Sequence, residues 1–304
     1  MRCRRQVAGR RSQVAGRRSY PLASVSTHEF IHDGQRLVYD DFGSGRDVVV
    51  LLPGLLLSRK MQEPLARSLA ERGNRVVILD LLGHGESDRP VDMWRYSMPL
   101  FGEQVIGLLD HLDVRRAVVG GTSLGANVTL EVASAAPERL RGMVIEMPVL
   151  DNALLACAIA FTPLLIGLTF GEPVMRFFQR GARAIPEDRV PWFANVVLDG
   201  LRQDPAPSAA VLQGLFFGRI APHRAERRTF EAPALVIGHR RDPVHPFSDA
   251  GMLADELPHG RLLEAESIVE LRFSPERLTN EIAAFIDSCW VERVRPARRR
   301  RAAG

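Results

Sequence analysis

The chain has 304 residues, of which 46% are hydrophobic and 25% are charged, a balance that fits a globular protein and excludes a fibrous or largely disordered one. The formal net charge is +4, but residues 1–19 hold seven arginines and no acid, and residues 291–304 hold six arginines and one glutamate. The remaining 27 basic and 35 acidic residues give residues 20–290 a charge of about −8. Such an acidic body argues against a nucleic-acid partner.

The two ends are expected to be disordered basic tails, residues 1–26 and 291–304. The first contains a seven-residue repeat, Gln6–Ser12 and Gln13–Ser19, with too few apolar side chains to form a core. No apolar stretch follows its arginine pairs, so it does not fit an export signal; an organelle transit peptide and a duplicated upstream segment stay open. Three widely spaced cysteines predict a reducing, cytoplasmic location without disulfides: Cys3, Cys157 and Cys289.

From about Thr27, short β-branched runs alternate with amphipathic helical stretches. A hairpin with Asp33-Gly34 at its turn comes first. Helices are predicted near Gln62–Glu71, near Pro99–Leu112 and after "VVGG", and the strands between them are "DVVVLL", "RVVILD", "RRAVVGG" and "RGMVIEMPV". This alternation predicts an α/β fold with a mainly parallel sheet and helices on both faces.

The alternation stops after Leu150. Residues 152–231 contain helical stretches and several prolines but no buried-strand run, and strands resume at "APALVIGH". We therefore expect a core of residues 27–151 and 232–290, with residues 152–231 as a helical lid over the carboxyl edge of the sheet, where open α/β sheets bind ligands.

Ala153–Phe170 is a stretch of 18 residues without a charge, long enough to raise the question of a membrane span. Pro163 interrupts it, and a span would separate two halves of one sheet. We expect no span, but a pair of lid helices with an apolar underside. Contact between this lid and a membrane surface stays open.

A nucleophile elbow is indicated by the sequence Gly121-Thr122-Ser123-Leu124-Gly125. The serine of such an elbow occupies a strained strand-to-helix turn, so the residues two before and two after it must be small. Gly121 and Gly125 meet this requirement. A glycine-rich turn with an incidental serine is the alternative, but the position between a strand and an apolar helix favours the elbow.

In this context the chain resembles the α/β-hydrolase superfamily over about residues 27–288. The matching motifs follow the third, fourth, fifth and seventh strands: "LLPGLLLS", "DLLGHGESDRP", the elbow and "GHRRDPVHP". The resemblance implies an eight-stranded sheet with a helical lid inserted after strand six.

The resemblance also implies roles for individual residues. Ser123 is the expected nucleophile, with the backbone N–H groups of Leu55 and Leu124 as oxyanion donors. Asp242, at the end of strand seven, matches the usual acid. Glu146, at the end of strand six, lies where some members keep the acid and is the alternative. A serine nucleophile disfavours the epoxide-hydrolase and dehalogenase branches, which use a carboxylate.

The histidine expected as general base is missing from its usual position. In the family it follows strand eight, several residues before the Pro-Glu that opens the last helix. Pro275-Glu276 is present, but the expected position holds Ile268. A serine needs a base to remove its proton at neutral pH, so a substitute is required for activity.

Topology sorts the eight histidines, because the carboxyl ends of parallel strands share one edge of the sheet. His28, His32, His111 and His259 are expected away from that edge, and His223 falls in the lid. The other three are His84, in a loop that such a histidine usually stabilises, His239, which suits a hydrogen-bonded core residue, and His245. We predict that His245, three residues after Asp242, replaces the missing base.

The sequence thus predicts a serine hydrolase, an esterase or lipase-like enzyme that cleaves an apolar carboxylic ester through an acyl-enzyme. Thioesterase or C–C bond hydrolase chemistry would use the same residues. The alternative is a catalytically lapsed fold that binds an apolar ligand or partner, as Ile268 would suggest. No cofactor or metal is implied, since the histidines and cysteines lack ligand spacing and no phosphate-binding glycine loop occurs.

Overall fold

The computed structural model describes residues 25–186 and 189–291. Residues 1–24 and 292–304 lie outside it, and with them nearly all of the predicted basic tails. The first strand starts at Val25, so residues 25 and 26, which we assigned to the tail, belong to the sheet.

One eight-stranded sheet forms the centre of the fold, in the order β1-β2-β4-β3-β5-β6-β7-β8. β1 pairs antiparallel with β2, and β2 pairs antiparallel with β4, whereas all the other pairs are parallel. The strands are β1 (Val25–His32), β2 (Gln35–Phe42), β3 (Val48–Leu52), β4 (Arg75–Asp80), β5 (Ala117–Thr122), β6 (Leu140–Glu146), β7 (Ala234–His239) and β8 (Gly260–Ala265). The predicted α/β class, the mainly parallel sheet and its eight strands are confirmed.

Helices cover both faces of this sheet. Within the described residues they are α1 (Glu63–Ala70), α2 (Met98–His111), α3 (Leu124–Ala135), α4 (Leu154–Phe170), α5 (Glu172–Arg183), α6 (Trp192–Arg202), α7 (Pro205–Phe217), α8 (Arg224–Arg227), α9 (Phe247–Glu256), α10 (Glu270–Phe273) and α11 (Glu276–Trp290). Two apolar clusters result, one on each face of the sheet. Strands β3, β5 and β7 are buried along their whole length, which is why they read in the sequence as continuous apolar runs.

The central parallel strands place their carboxyl ends on one edge of the sheet. Ser123 follows β5, Met147 follows β6 and Arg240 follows β7, and these strands are neighbours in the order β5-β6-β7. The backbone ties the three ends together. Ser123 N–H donates to the carbonyl of Glu146 at 2.9 Å, and Met147 N–H donates to the carbonyl of Ile237 at 3.0 Å.

Helices α4 to α7 follow β6 and precede α8 and β7. The predicted break at Pro163 was wrong, because α4 is a single helix of 17 residues with Pro163 inside it. A proline removes one N–H from the helix ladder. The carbonyl four residues earlier belongs to Ile159, and both residues lie on the exposed side, where water can bind that carbonyl.

By length and composition, one helical segment among the described residues could cross a membrane. It spans Asp151–Phe170, which includes α4, and only 11% of its apolar 18-residue window is buried. The sheet strands before and after it in the chain, β6 and β7, pair with each other. A crossing by this segment would therefore place paired strands on opposite sides of the bilayer.

Candidate active site

Ser123 occupies a strained turn between β5 and α3. Its backbone has φ 55° and ψ −107°, a conformation that residues other than glycine rarely adopt. The flanking glycines leave no room for a side chain. A Cβ on Gly121 would lie 2.6 Å from the carbonyl carbon of Gly125, and one on Gly125 would lie 2.6 Å from the carbonyl oxygen of Leu52. This is the geometry of a nucleophile elbow, and it explains why both positions hold glycine.

The side chains of Ser123, His245 and Asp242 form one hydrogen-bonded chain. Ser123 Oγ lies 2.8 Å from His245 Nε2, and His245 Nδ1 lies 2.9 Å from Asp242 Oδ2. An ionised carboxylate can only accept, so Nδ1 carries the proton and Nε2 presents a lone pair to the serine hydroxyl. The structure thus brings together the three residues that the sequence nominated as nucleophile, base and acid.

Asp242 also shapes the loop that carries the histidine. Its Oδ1 accepts from the N–H of Val244 at 2.8 Å and from the N–H of His245 at 2.9 Å. Burial alone would raise the pKa of the Asp242 carboxyl, but the hydrogen bonds from the His245 ring and from these backbone groups hold that pKa below its ordinary value. The carboxylate is therefore charged at neutral pH, as an orienting acid must be.

Glu146, the alternative acid, lies in a different polar cluster. Its Oε2 accepts from Thr122 Oγ1 at 2.5 Å and from Arg272 Nη2 at 2.8 Å, and its Oε1 lies 3.5 Å from His239 Nε2. Burial alone would raise its pKa, but Arg272, followed by His239 and Thr122, lowers the pKa to about 2. The Glu146 carboxylate therefore contacts His239 and Arg272, whereas Asp242 contacts His245.

Two other members of this cluster, Arg272 and Gln62, were not predicted from the sequence. Arg272 Nη2 also donates to Thr122 Oγ1 at 2.9 Å, and Gln62 Nε2 donates to the same oxygen at 3.1 Å. The cluster joins the ends of β5, β6 and β7 and includes Thr122, the residue before Ser123. Arg272 is the one basic residue between β8 and α11, but it lies near Glu266 and Glu270, so no clear signal in the sequence indicated that it would reach Glu146.

The remaining edge histidines have structural partners. His84 is buried and its Nδ1 donates to the carbonyl of Leu82 at 3.0 Å, while burial lowers its pKa to about 4. His239 Nδ1 lies 2.8 Å from the carbonyl of Ser267. Burial alone would lower the pKa of His239, but Glu146 raises it above its ordinary value. Ile268, at the family's usual base position, is 43% exposed.

The two nominated oxyanion donors lie beside the serine. Leu124 is the first residue of α3, so its N–H has no acceptor within the helix. Leu55 lies on the loop after β3, which is tied to the elbow because Gly125 N–H donates to the carbonyl of Pro53 at 3.1 Å. Leu55, Ser123 and Leu124 line the same cavity. An N–H at a helix start also favours developing negative charge.

This cavity has a volume of about 280 Å³ and a mostly apolar wall. Helices α4 and α7 form much of the wall opposite the serine, through Leu154, Cys157, Phe161, Leu212, Leu215 and Phe216. The amide of Asn127 also lines it, but its Nδ2 donates to the carbonyls of Val149 and Ile220, and its Oδ1 accepts from Val149 N–H. Apart from the serine, the cavity therefore favours an apolar group.

Residues 47–267 match the family model described as alpha/beta hydrolase fold. The sheet order, the elbow and this match agree, and the chain belongs to the α/β-hydrolase family. It is 26% identical over 287 residues to the AB hydrolase superfamily protein YisY of Bacillus subtilis (strain 168), a match that covers 87% of this chain and 98% of that protein.

The chain is also 26% identical over 195 residues to the 2-hydroxymuconate semialdehyde hydrolase of Pseudomonas putida, which covers 62% of this chain and 67% of that enzyme. Among solved structures, the enol-lactonase from Burkholderia xenovorans LB400 superposes with a TM-score of 0.70 at 21% identity, covering 86% of this chain and all of that one (100%). The family and its hydrolase members identify the general class of this protein as hydrolase.

Proposed function

We propose that this protein is a serine hydrolase that cleaves carboxylic esters of apolar acids through an acyl-enzyme. The observation that carries the proposal is the 2.8 Å contact between Ser123 Oγ and His245 Nε2, continued by the 2.9 Å contact from His245 Nδ1 to Asp242. A serine in a strained elbow, a base within hydrogen-bond reach and an acid that fixes the base's tautomer are the parts that nucleophilic acyl transfer requires.

In the proposed reaction, His245 Nε2 takes the hydroxyl proton as Ser123 Oγ attacks the ester carbonyl carbon. The carbonyl oxygen becomes an oxyanion, to which the N–H groups of Leu55 and Leu124 donate. Collapse breaks the bond to the alcohol, which leaves with the proton from His245. Water then attacks the acyl-enzyme, again giving its proton to His245, and the acid and free serine are released.

The apolar cavity supports an apolar acyl group as the part of the substrate that is bound. Helices α4 to α7 would act as a lid, since α4 and α7 form the wall that faces Ser123. A cavity of about 280 Å³ fits a short to medium acyl chain better than a large one. Cytoplasmic location stays a prediction from the cysteine content.

The alternative, a lapsed fold that only binds an apolar ligand, rested on Ile268 standing where the base is expected. That reason weakens once another histidine lies at hydrogen-bond distance from the serine. The two hypotheses differ in one respect, which is whether the serine is nucleophilic.

Labelling with a fluorophosphonate probe tests this difference. We expect rapid labelling of the wild type and none of Ser123→Ala, because the probe reacts only with an activated serine. We expect His245→Ala to label at least about a hundredfold more slowly. A folded wild-type protein that does not label would overturn the proposal in favour of the lapsed fold. Unchanged labelling of His245→Ala would assign the base to another group.

A further inference from the structure

Helix α4 is apolar on two opposite sides. One side lines the cavity above Ser123, through Leu154, Cys157, Ala158 and Phe161. The opposite side carries large apolar residues that are exposed at spacings of four, seven and four residues: Leu155, Ile159, Ile166 and Phe170. A helix that is apolar all round is expected to be covered all round, so the second side lacks its cover.

Helix α5, which packs against α4, also carries exposed apolar side chains. It follows α4 after a single glycine and contacts both α4 and α7. Phe177 and Phe178 are exposed and pack edge to face, with ring centroids 5.9 Å apart. We define the outer face as Leu155, Ile159, Ile166, Phe170, Phe177 and Phe178. Six large apolar side chains in a contiguous helical pair exceed the scattered exposure that is normal on a protein surface.

Arginines border this face. At 100° per residue, α5 places its arginines on a different side from Phe177 and Phe178: Arg176, Arg180 and Arg183. Between Leu154 and Arg183 the sequence contains these three arginines and a single acid, Glu172. An apolar helical face bordered by basic residues is the pattern of a helix that lies in the headgroup region of an anionic bilayer.

We propose that the outer face docks this protein on the surface of an anionic lipid bilayer, with α4 and α5 lying in the interface. Docking would cover the exposed side of α4 and would bring the α5 arginines to the lipid phosphates. The anionic leaflet that faces the cytoplasm has the charge that these arginines require. Two other occupants, a second copy of the chain and a bilayer crossed by α4, fit the structure less well.

A second copy would have to bring the same face, with the same arginines, against itself in a two-fold contact, which places like charges together. A crossing would separate β6 from β7, which pair at Met143–Ala234 and the three positions that follow. It would also remove the cavity wall above Ser123 from the core. Lying on the surface leaves both the sheet and the cavity intact.

Two residues that line the cavity are also exposed at the surface of α4 and α7. Leu154 lines the cavity, is itself exposed, and precedes Leu155 of the outer face. Phe216 of α7 likewise lines the cavity and is exposed, with Phe217 beside it at 5.8 Å between ring centroids. The docking itself does not depend on the proposed chemistry.

Co-sedimentation of the full chain with vesicles tests the proposal. The probes are vesicles of phosphatidylcholine mixed with phosphatidylglycerol, and vesicles of phosphatidylcholine alone. We expect the wild type to bind the mixed vesicles more tightly, and Ile159→Ser to weaken this binding by about tenfold, as expected for losing one inserted apolar side chain. Ile31→Ser is the matched control, because Ile31 on β1 is 67% exposed and Ile159 is 68% exposed.

Phe177→Ser and Arg180→Gln give independent readings. We expect Phe177→Ser to weaken binding to the mixed vesicles about tenfold and Arg180→Gln about fivefold. Only Arg180→Gln should reduce the salt dependence of binding. Near-ultraviolet circular dichroism checks that each variant is folded. Equal binding of the wild type and all three variants would overturn the proposal and assign the lipid contact to the arginine-rich ends, which every variant keeps. No binding by the folded wild type would overturn it as well.

Sedimentation velocity without lipid tests whether a second copy of the chain binds the outer face instead. We expect Ile159→Ser to leave the oligomeric state unchanged. A wild-type dimer that Ile159→Ser converts to a monomer would overturn the proposal and make a second copy the occupant of the outer face.

Discussion

Ser123 Oγ and His245 Nε2 lie 2.8 Å apart although 122 residues separate them in the chain. The contact spans from the elbow after β5 to the loop after β7, across the end of β6. We propose that this contact supplies the general base, since the position that usually holds the base in the family is occupied by Ile268.

If His245 is that base, His245→Ala should lower kcat for a short acyl ester by at least about a thousandfold, since a neutral hydroxyl is a poor nucleophile. His259→Ala is the control. The His259 side chain is 44% exposed, and its Nε2 lies 3.3 Å from Glu231 Oε2. His259 lies near the start of β7, on the opposite edge of the sheet from Ser123. Equal losses in the two variants would contradict the assignment.

Substitutions of the two candidate acids, Asp242 and Glu146, should have different effects on kcat. Asp242→Asn removes the acceptor that fixes the His245 tautomer, and we expect kcat to fall by about ten-thousandfold. Glu146→Gln leaves that contact intact, so its kcat, measured well below its melting temperature, should stay within about tenfold of the wild type. A reversed order of effects would make Glu146 the acid.

Ile268 should have lost any part in catalysis. It is 43% exposed, and its replacement by alanine opens little space in the core. We expect Ile268→Ala to change kcat by less than about twofold and the free energy of unfolding by less than about 1 kcal/mol. Steady-state kinetics and urea unfolding measure the two quantities, and a large kcat effect would mean that this segment still shapes the site.

The buried cluster at Glu146 predicts acid sensitivity. Its pKa is about 2 in the folded protein against an ordinary value of 4.5. A depressed carboxyl pKa stabilises the fold fully above the ordinary value, and this contribution is lost as the pH falls from about 4.5 toward about 2. It amounts to about 3 kcal/mol as an order of magnitude.

Urea unfolding of Glu146→Gln should show a smaller fall in stability between pH 5 and pH 3 than the wild type, on the order of 1–2 kcal/mol less. Glu29→Gln serves as the control, since Glu29 is an exposed partner of Arg36. Parallel pH curves for wild type and Glu146→Gln would show that the buried charge does not set the acid limit.

The elbow glycines should tolerate no side chain. A Cβ on Gly125 meets the Leu52 carbonyl oxygen at 2.6 Å, so Gly125→Ala should destabilise the protein by about 1–3 kcal/mol and reduce labelling of Ser123. Gly251→Ala is the matched control. Gly251 lies inside α9 with open space around its Cβ position, and alanine there should stabilise by up to about 1 kcal/mol.

The sequence predicted the sheet well because its central strands are buried on both faces and therefore appear as uninterrupted apolar runs, as in "DVVVLL". The elbow was predictable because steric exclusion forces glycine at 121 and 125. His245 was reachable by topology, since parallel strands share one carboxyl edge. The resemblance named Asp242 as the acid that meets His245 and Glu146 as the alternative. Residue types alone could not decide between them, because the choice depends on side-chain directions at the ends of two neighbouring strands.

The Glu146 cluster escaped prediction for a related reason. Its members come from the turn before α1 (Gln62) and from β5, β6, β7 and α10, so no spacing in the sequence connects them. The break expected at Pro163 failed because one missing N–H costs little where water reaches the carbonyl it would have met. Residue type alone did not reveal that exposure.

Asp242 and His245 lie on one short turn, so two of the three proposed catalytic groups are carried by a single peptide segment. Active-site alignment then reduces to one requirement, the separation between the β5 elbow and the β7 turn. If these residues act as proposed, the chain from β8 onward supplies no catalytic side chain, although Arg272 of α10 still holds the buried Glu146 cluster together. The turn itself becomes a unit that could be transplanted into a related hydrolase whose own histidine has been removed.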